Sequence, residues 1–151
     1  MVRSADLSER ISKRLALGLL ALALCCGCGE GRPMRVPASG QVLIDGQPLR
    51  LGTVMFVPEG ARPSSGRLDE QGRFTLGCFE AADGAVVGKH RVSVSGLEPM
   101  GPGAQRWLAP KRYVDWNTSG LTAEITGPTK DLTIELSWNG EQPFVEKTDG
   151  F

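Results

Sequence analysis

From Leu121 to Trp138 the chain alternates apolar and polar residues almost one for one, and this period of two constrains its fold more than any other feature. Leu121, Ala123 and Ile125 alternate with Thr122, Glu124 and Thr126. After Gly127-Pro128-Thr129-Lys130, the residues Leu132, Ile134, Leu136 and Trp138 alternate with Thr133, Glu135 and Ser137. Such segments predict strands with one buried and one solvated face, here joined through the Gly-Pro turn as an antiparallel pair.

The same grammar runs back to residue 38. Ser39 to Ile44 predicts a strand with Val42 and Ile44 on one face, closed by Asp45-Gly46, a pair suited to a tight hairpin whose central residues need positive φ. Thr53 to Pro58 is apolar on both faces, as a central strand requires. Gly66 to Leu68 and Arg73 to Gly77 read as a second hairpin about Asp69-Glu70-Gln71-Gly72, where Asp can bond nearby backbone and Gly can take the left-handed position. Lys89 to Ser95 places His90, Val92 and Val94 opposite Arg91, Ser93 and Ser95. No helical period survives after residue 28. The expectation is an all-β domain, a two-layer sandwich of seven short antiparallel strands over about residues 38–138.

What precedes that domain has another character. Arg3, Arg10, Lys13 and Arg14 lead into the apolar run Leu15 to Leu24, too short to span a bilayer and of the form of a secretory signal, expected to be helical. Cys25-Cys26-Gly27-Cys28 follows at once. This resembles a bacterial lipoprotein signal, in which a cysteine after small residues is acylated, as with palmitate, and becomes the mature N-terminus. Cys28, preceded by Gly27, is the first choice for lipidation and Cys26 the alternative. The resemblance implies a signal peptide over 1–27, export across the cytoplasmic membrane and a lipid anchor at the cell envelope, on its periplasmic or outer-surface side. Residues 28–37, rich in Gly, Pro and Arg, read as a flexible tether. The last residues, 139–151, are polar and mixed in charge, and read as a disordered tail in which Phe144 and Val145 could add a short edge strand.

Charge and cysteine content narrow the function classes. The chain carries 17 Lys+Arg and 17 Asp+Glu, and removing the four basic and two acidic residues of the signal leaves 13 against 15. That balance offers no clustered cation array for nucleic acid. Cys78 is the single cysteine inside the domain, which excludes an internal disulfide there, and it reads as a small buried apolar residue. One histidine, His90, and one cysteine cannot make a zinc site, and no cofactor is implied. His90 would have to serve any Ser/His/Asp or Cys/His arrangement, yet its parity points it inward, so no catalytic residue is assigned.

One long connection, Gly96 to Gly120, separates the last predicted strands. It holds Trp107, Tyr113 and Trp116 among Arg106, Lys111, Arg112 and Asp115. These three rings are the candidate ligand or partner contacts, because flat amphipathic side chains stack on sugars and anchor protein partners. The bland reading is that Tyr113 and one tryptophan fold back to cap the open end of the sandwich.

The order Gly40-Gln41-Val42, Asp45-Gly46-Gln47-Pro48-Leu49, Val54 to Pro58, Asp69 to Phe74 and Gly84 to Val92 resembles the carboxypeptidase regulatory-like family. Pro110-Lys111-Arg112-Tyr113 followed by Thr118-Ser119-Gly120-Leu121-Thr122 is similar to small bacterial lipoproteins built of a lipobox, a tether and one such domain. The resemblance covers about residues 38 to 138. It implies a transthyretin-like, prealbumin-like Greek-key β-sandwich and no reaction. A purine-pathway hydrolase shares that fold, but its histidine-arginine set and C-terminal tyrosine motif have no match here. The reading is therefore an envelope lipoprotein acting as a non-catalytic binding or structural module. Its partners would be the membrane, through the lipid, and an envelope protein or polysaccharide. The alternative is an accessory module recruiting carbohydrate or peptide through residues 97–120.

Overall fold

A computed structural model of the chain describes residues 33–147. The expected signal peptide, the lipidation candidates Cys28 and Cys26, the first part of the tether and residues 148–151 lie outside the described residues. All seven predicted strands form, and six short ones join them.

One sheet has the order β11-β8-β4-β5, all antiparallel, from β4 (Thr53–Pro58), β5 (Ser64–Arg67), β8 (Gly88–Ser95) and β11 (Leu121–Ile125). Strand β4, apolar on both faces, is paired on both sides, as its composition suggested. The second sheet is built around β2 (Ala38–Ile44), which pairs with β3 (Gln47–Pro48), β6 (Arg73–Thr75) and β12 (Thr129–Leu136). The apolar faces of the two sheets meet in one core. Phe56 of β4 and Phe74 of β6 face each other across it with centroids 5.8 Å apart, and Val42, Val54, Val92 and Ile125 are fully sealed. Each such side chain contributes roughly 1.5–3 kcal/mol through burial.

The turns behave as their residues dictate. Asp45 and Gly46 have φ of 47° and 78°, closing the β2–β3 hairpin with both central residues left-handed. The Asp69 carboxylate accepts from the amides of Gln71 at 2.9 Å and Arg73 at 2.8 Å, while Gly72 takes φ 70°.

Three expectations about connectivity need correction. Strands β11 and β12 are not a hairpin: β11 pairs with β8 in one sheet, and β12 crosses to the other and pairs with β2 in parallel. The sandwich is therefore not wholly antiparallel. Likewise β5 and β6 flank the Asp69 turn but pair mainly with β4 and β2, in different sheets; of the expected hairpin there remain the Asp69–Arg73 backbone bond at the turn and one antiparallel bridge between Ser65 and Gly77, beyond the end of β6. The cause is the same in both cases. Alternation specifies which face of a strand is buried, and either sheet satisfies that demand.

The third correction concerns irregular segments. The connection 96–120 contains a hairpin, β9 (Leu97–Gly101) with β10 (Ala104–Trp107), and a 3-10 turn over Lys111–Tyr113. Phe144–Lys147, expected to fray, forms β13 and pairs with β10 from Ala104↔Lys147 to Trp107↔Phe144. Within the expected tether, Arg35–Val36 forms β1 and pairs with β7 (Ala85–Val86).

Candidate functional site

Strand β10 ends at Trp107, and the register with β13 sets Phe144 opposite it. Their rings stack 6.2 Å apart at an interplanar angle of 19°. Trp107 Nε1 donates to a Glu146 carboxylate oxygen at 2.9 Å, Gln105 Nε2 donates to the same oxygen at 3.0 Å, and Lys111 Nζ donates to the other. The ammonium of Lys111 also lies 5.0 Å from the Trp107 ring centroid, a cation–π distance. Hydrogen bonds from Lys111, Trp107 and Gln105 hold the Glu146 carboxyl down at about 2. Trp107 is 7% exposed, so its polar edge and both faces are occupied by the protein's own groups.

The 3-10 turn after Pro110 delivers Tyr113 to the end of β12. The phenol accepts from the Ser137 amide at 3.2 Å and donates to the Ser137 carbonyl at 3.4 Å. Arg112 donates to that same carbonyl and to the Tyr113 oxygen, the latter at 3.1 Å. Tyr113 is buried and belongs to the core cluster. Downstream, the Ser119 hydroxyl donates to the Val92 carbonyl at 2.6 Å and accepts from the Leu121 amide at 3.1 Å, fastening the loop to β8 just before β11 begins.

Trp116 alone of the three candidate rings stays accessible, at 36%. The structure therefore does not gather Trp107, Tyr113 and Trp116 on one surface. Two of them hold segments together, and the residues they hold, Glu146 and Ser137, were absent from the sequence-based candidates. The run Phe144-Val145-Glu146-Lys147 is β-prone but only four residues long, too little signal against a polar background.

His90 points inward, as parity required. It is 2% exposed and stands edge-on to Phe56 at 5.8 Å. Nε2 must carry the proton, because its partner 2.8 Å away is the Val86 carbonyl, which can only accept; Nδ1 has no hydrogen-bond partner among the described residues. Burial pushes the imidazole below its usual range, against the opposing effect of the Val86 bond. Beside it runs an open groove of about 770 Å³ lined by Val57, Glu59, Lys89, His90, Arg91, Thr122, Ala123 and Glu124, to which the 2%-exposed His90 lends almost no surface. It carries charges of both signs and no nucleophile–base pair.

At the end of the domain where the described chain starts, the Asp83 carboxylate accepts from the amides of Cys78 at 2.5 Å and Phe79 at 3.2 Å, and pairs with Arg35 Nε at 3.1 Å. The Cys78 amide is the main reason the Asp83 carboxyl lies below its usual range. Cys78 is buried, its thiol 3.6 Å from the Arg62 carbonyl. Among the described residues no group of three or more His, Cys, Asp or Glu could hold a metal ion, and no helix is long and apolar enough to cross a membrane.

Comparison with family models, curated proteins and solved structures yields no match. The fold and the site together define an all-β, sandwich-type domain in which Trp107 and Tyr113 fasten its own segments together.

Proposed function

We propose that this chain is an envelope lipoprotein, acylated at Cys28, whose single domain is a non-catalytic binding or structural β-sandwich of the transthyretin-like kind. The observation that carries the non-catalytic part is the sealing of His90. A side chain 2% exposed, hydrogen-bonded to backbone and packed edge-on to Phe56, presents almost no surface to the groove beside it. The anchored part rests on the basic start, the ten-residue apolar run and the Cys-Gly-Cys sequence that follows it. The two sheets packed on one apolar core support the sandwich part of that reading, and the transthyretin-like part rests on the order of the sequence motifs between Gly40 and Val92.

A carbohydrate-recruiting module would need exposed, coplanar rings. Burial of Trp107 and Tyr113 withdraws two of the three, which favours the structural reading. The experiment is fractionation of cells making the native chain and a Cys28→Ser variant. The native protein is expected in the membrane fraction and the variant in the soluble exported fraction. A Cys28→Ser protein that stays membrane-bound and acylated moves the anchor to Cys26, and an unacylated native protein in the soluble fraction overturns the anchor altogether.

A further inference from the structure

Arg35 stands at the centre of a small surface that the proposed function does not use. It pairs with Val86 in the β1–β7 ladder, so Met34 and Val87 come next on either side of that register. Its guanidinium carbon lies 4.7 Å from the Phe79 ring centroid, and that of Arg62 lies 4.9 Å from the same ring. Met34, Phe79 and Val87 are exposed at 77%, 41% and 40%. Asp83 neutralises Arg35, so the patch is apolar with arginine flanks, not a cationic array.

We infer that this end of the domain rests on the phospholipid headgroup region, with Met34, Phe79 and Val87 entering the boundary between headgroups and acyl chains. The inference builds on the proposed acylation of Cys28. Only residues 29–32 separate Cys28 from Pro33, and five peptide units span at most about 18 Å fully extended. Pairing of Arg35–Val36 with β7 fixes where that short chain enters the domain. The far end of the sheet cannot take this position: β8 runs eight residues from Gly88, beside Val87, to Ser95, roughly 23 Å away. The exposed Arg62 beside the Phe79 ring suits such a boundary, since it can bury its stem and keep its charged head among phosphates, whereas the head of Arg35 is turned in and paired with Asp83.

The test uses the native acylated protein in phosphatidylcholine nanodiscs containing a gadolinium-chelating headgroup lipid, read by loss of backbone amide NMR signals. Signals of Arg35, Phe79 and Val87 are expected to vanish while those of Gly52 and Ser95 persist. In an acylated M34S/F79S/V87S variant the loss at Arg35 should diminish, with the rest of the spectrum preserved. An acylated, nanodisc-bound protein with even loss throughout, or greatest loss at Gly52 and Ser95, overturns the surface while leaving the anchor intact. A triple variant with unchanged loss also overturns the role of these side chains. A native chain that is unacylated and stays out of the nanodiscs removes the anchor and the surface together.

Discussion

Trp107 Nε1 donates to the Glu146 carboxylate at 2.9 Å, tying a residue of the long connection to a residue of the C-terminal segment. Both partners come from stretches with no strong strand signal. Each makes the other regular: β13 exists as a third strand on the β9–β10 hairpin, and the hairpin gains a covered edge. Glu146→Ala should release β13. Amides of 144–147 are expected to exchange with deuterium faster in the variant while those of β2 and β12 keep their rates. Unchanged exchange at 144–147 would mean that the backbone ladder and the Trp107–Phe144 stack suffice alone.

The carboxyl of Glu146, held at about 2, remains charged well below the 4.5 of an unperturbed glutamate. Its contribution is therefore present above about 4.5 and lost as pH falls toward about 2. Tryptophan fluorescence of the native protein should stay constant down to pH 4 and change between there and pH 2 as Trp107 loses its acceptor. Glu146→Gln should remove that change.

His90 gives a second, separate acid response. Its folded-state pKa is depressed, so the unfolded chain takes up its proton first, near the ordinary 6.5, and the folded state loses relative stability as pH falls below that value. Urea midpoints measured from pH 7.5 to pH 5 should decline for the native protein. His90→Gln can keep the bond to Val86 through its amide nitrogen, and should show a flatter profile. An equal decline in both would assign the response to other groups.

Gly40 marks where β12 approaches β2 most closely. The ladder slips between Thr129 and Leu132, setting one extra residue of β12 against β2. A Cβ at position 40 would lie well inside van der Waals distance of the Leu132 carbonyl. Gly40→Ala should destabilise the domain by about 2 kcal/mol or more, seen as a lower urea midpoint with an unchanged slope.

Tyr113→Phe removes a hydroxyl that serves both the amide and the carbonyl of Ser137 while leaving the ring in the core. A loss of about 1–2 kcal/mol is expected, because the half-buried amide of Ser137 is left without that acceptor. A thermal melt equal to that of the native protein would show that Arg112 or water compensates fully.

The faces of the strands were legible in the sequence, and their partners were not. Val42, Ile44, Val92, Val94, Ile125, Ile134 and Leu136 all lie where alternation put them. The Gly127-Pro128 turn looked like a hairpin because two amphipathic strands flank it, but it carries the chain between sheets, and nothing in a period of two distinguishes these outcomes. The Asp45-Gly46 and Asp69-Gly72 turns were readable because their geometry depends on side chains and φ preferences within a few residues. Glu146 was not, because its role depends on Gln105, Trp107 and Lys111, all more than thirty positions away. His90 was readable in direction from parity alone, whereas its bond to Val86 required the turn before β8.

The most direct measurement of the central claim is the intact mass and N-terminal peptide of the native mature protein. The account requires a chain beginning at Cys28 with that cysteine acylated, or the same modification at Cys26. An unmodified N-terminus, with the cysteines as free thiols or still joined to residues 1–24, would contradict it.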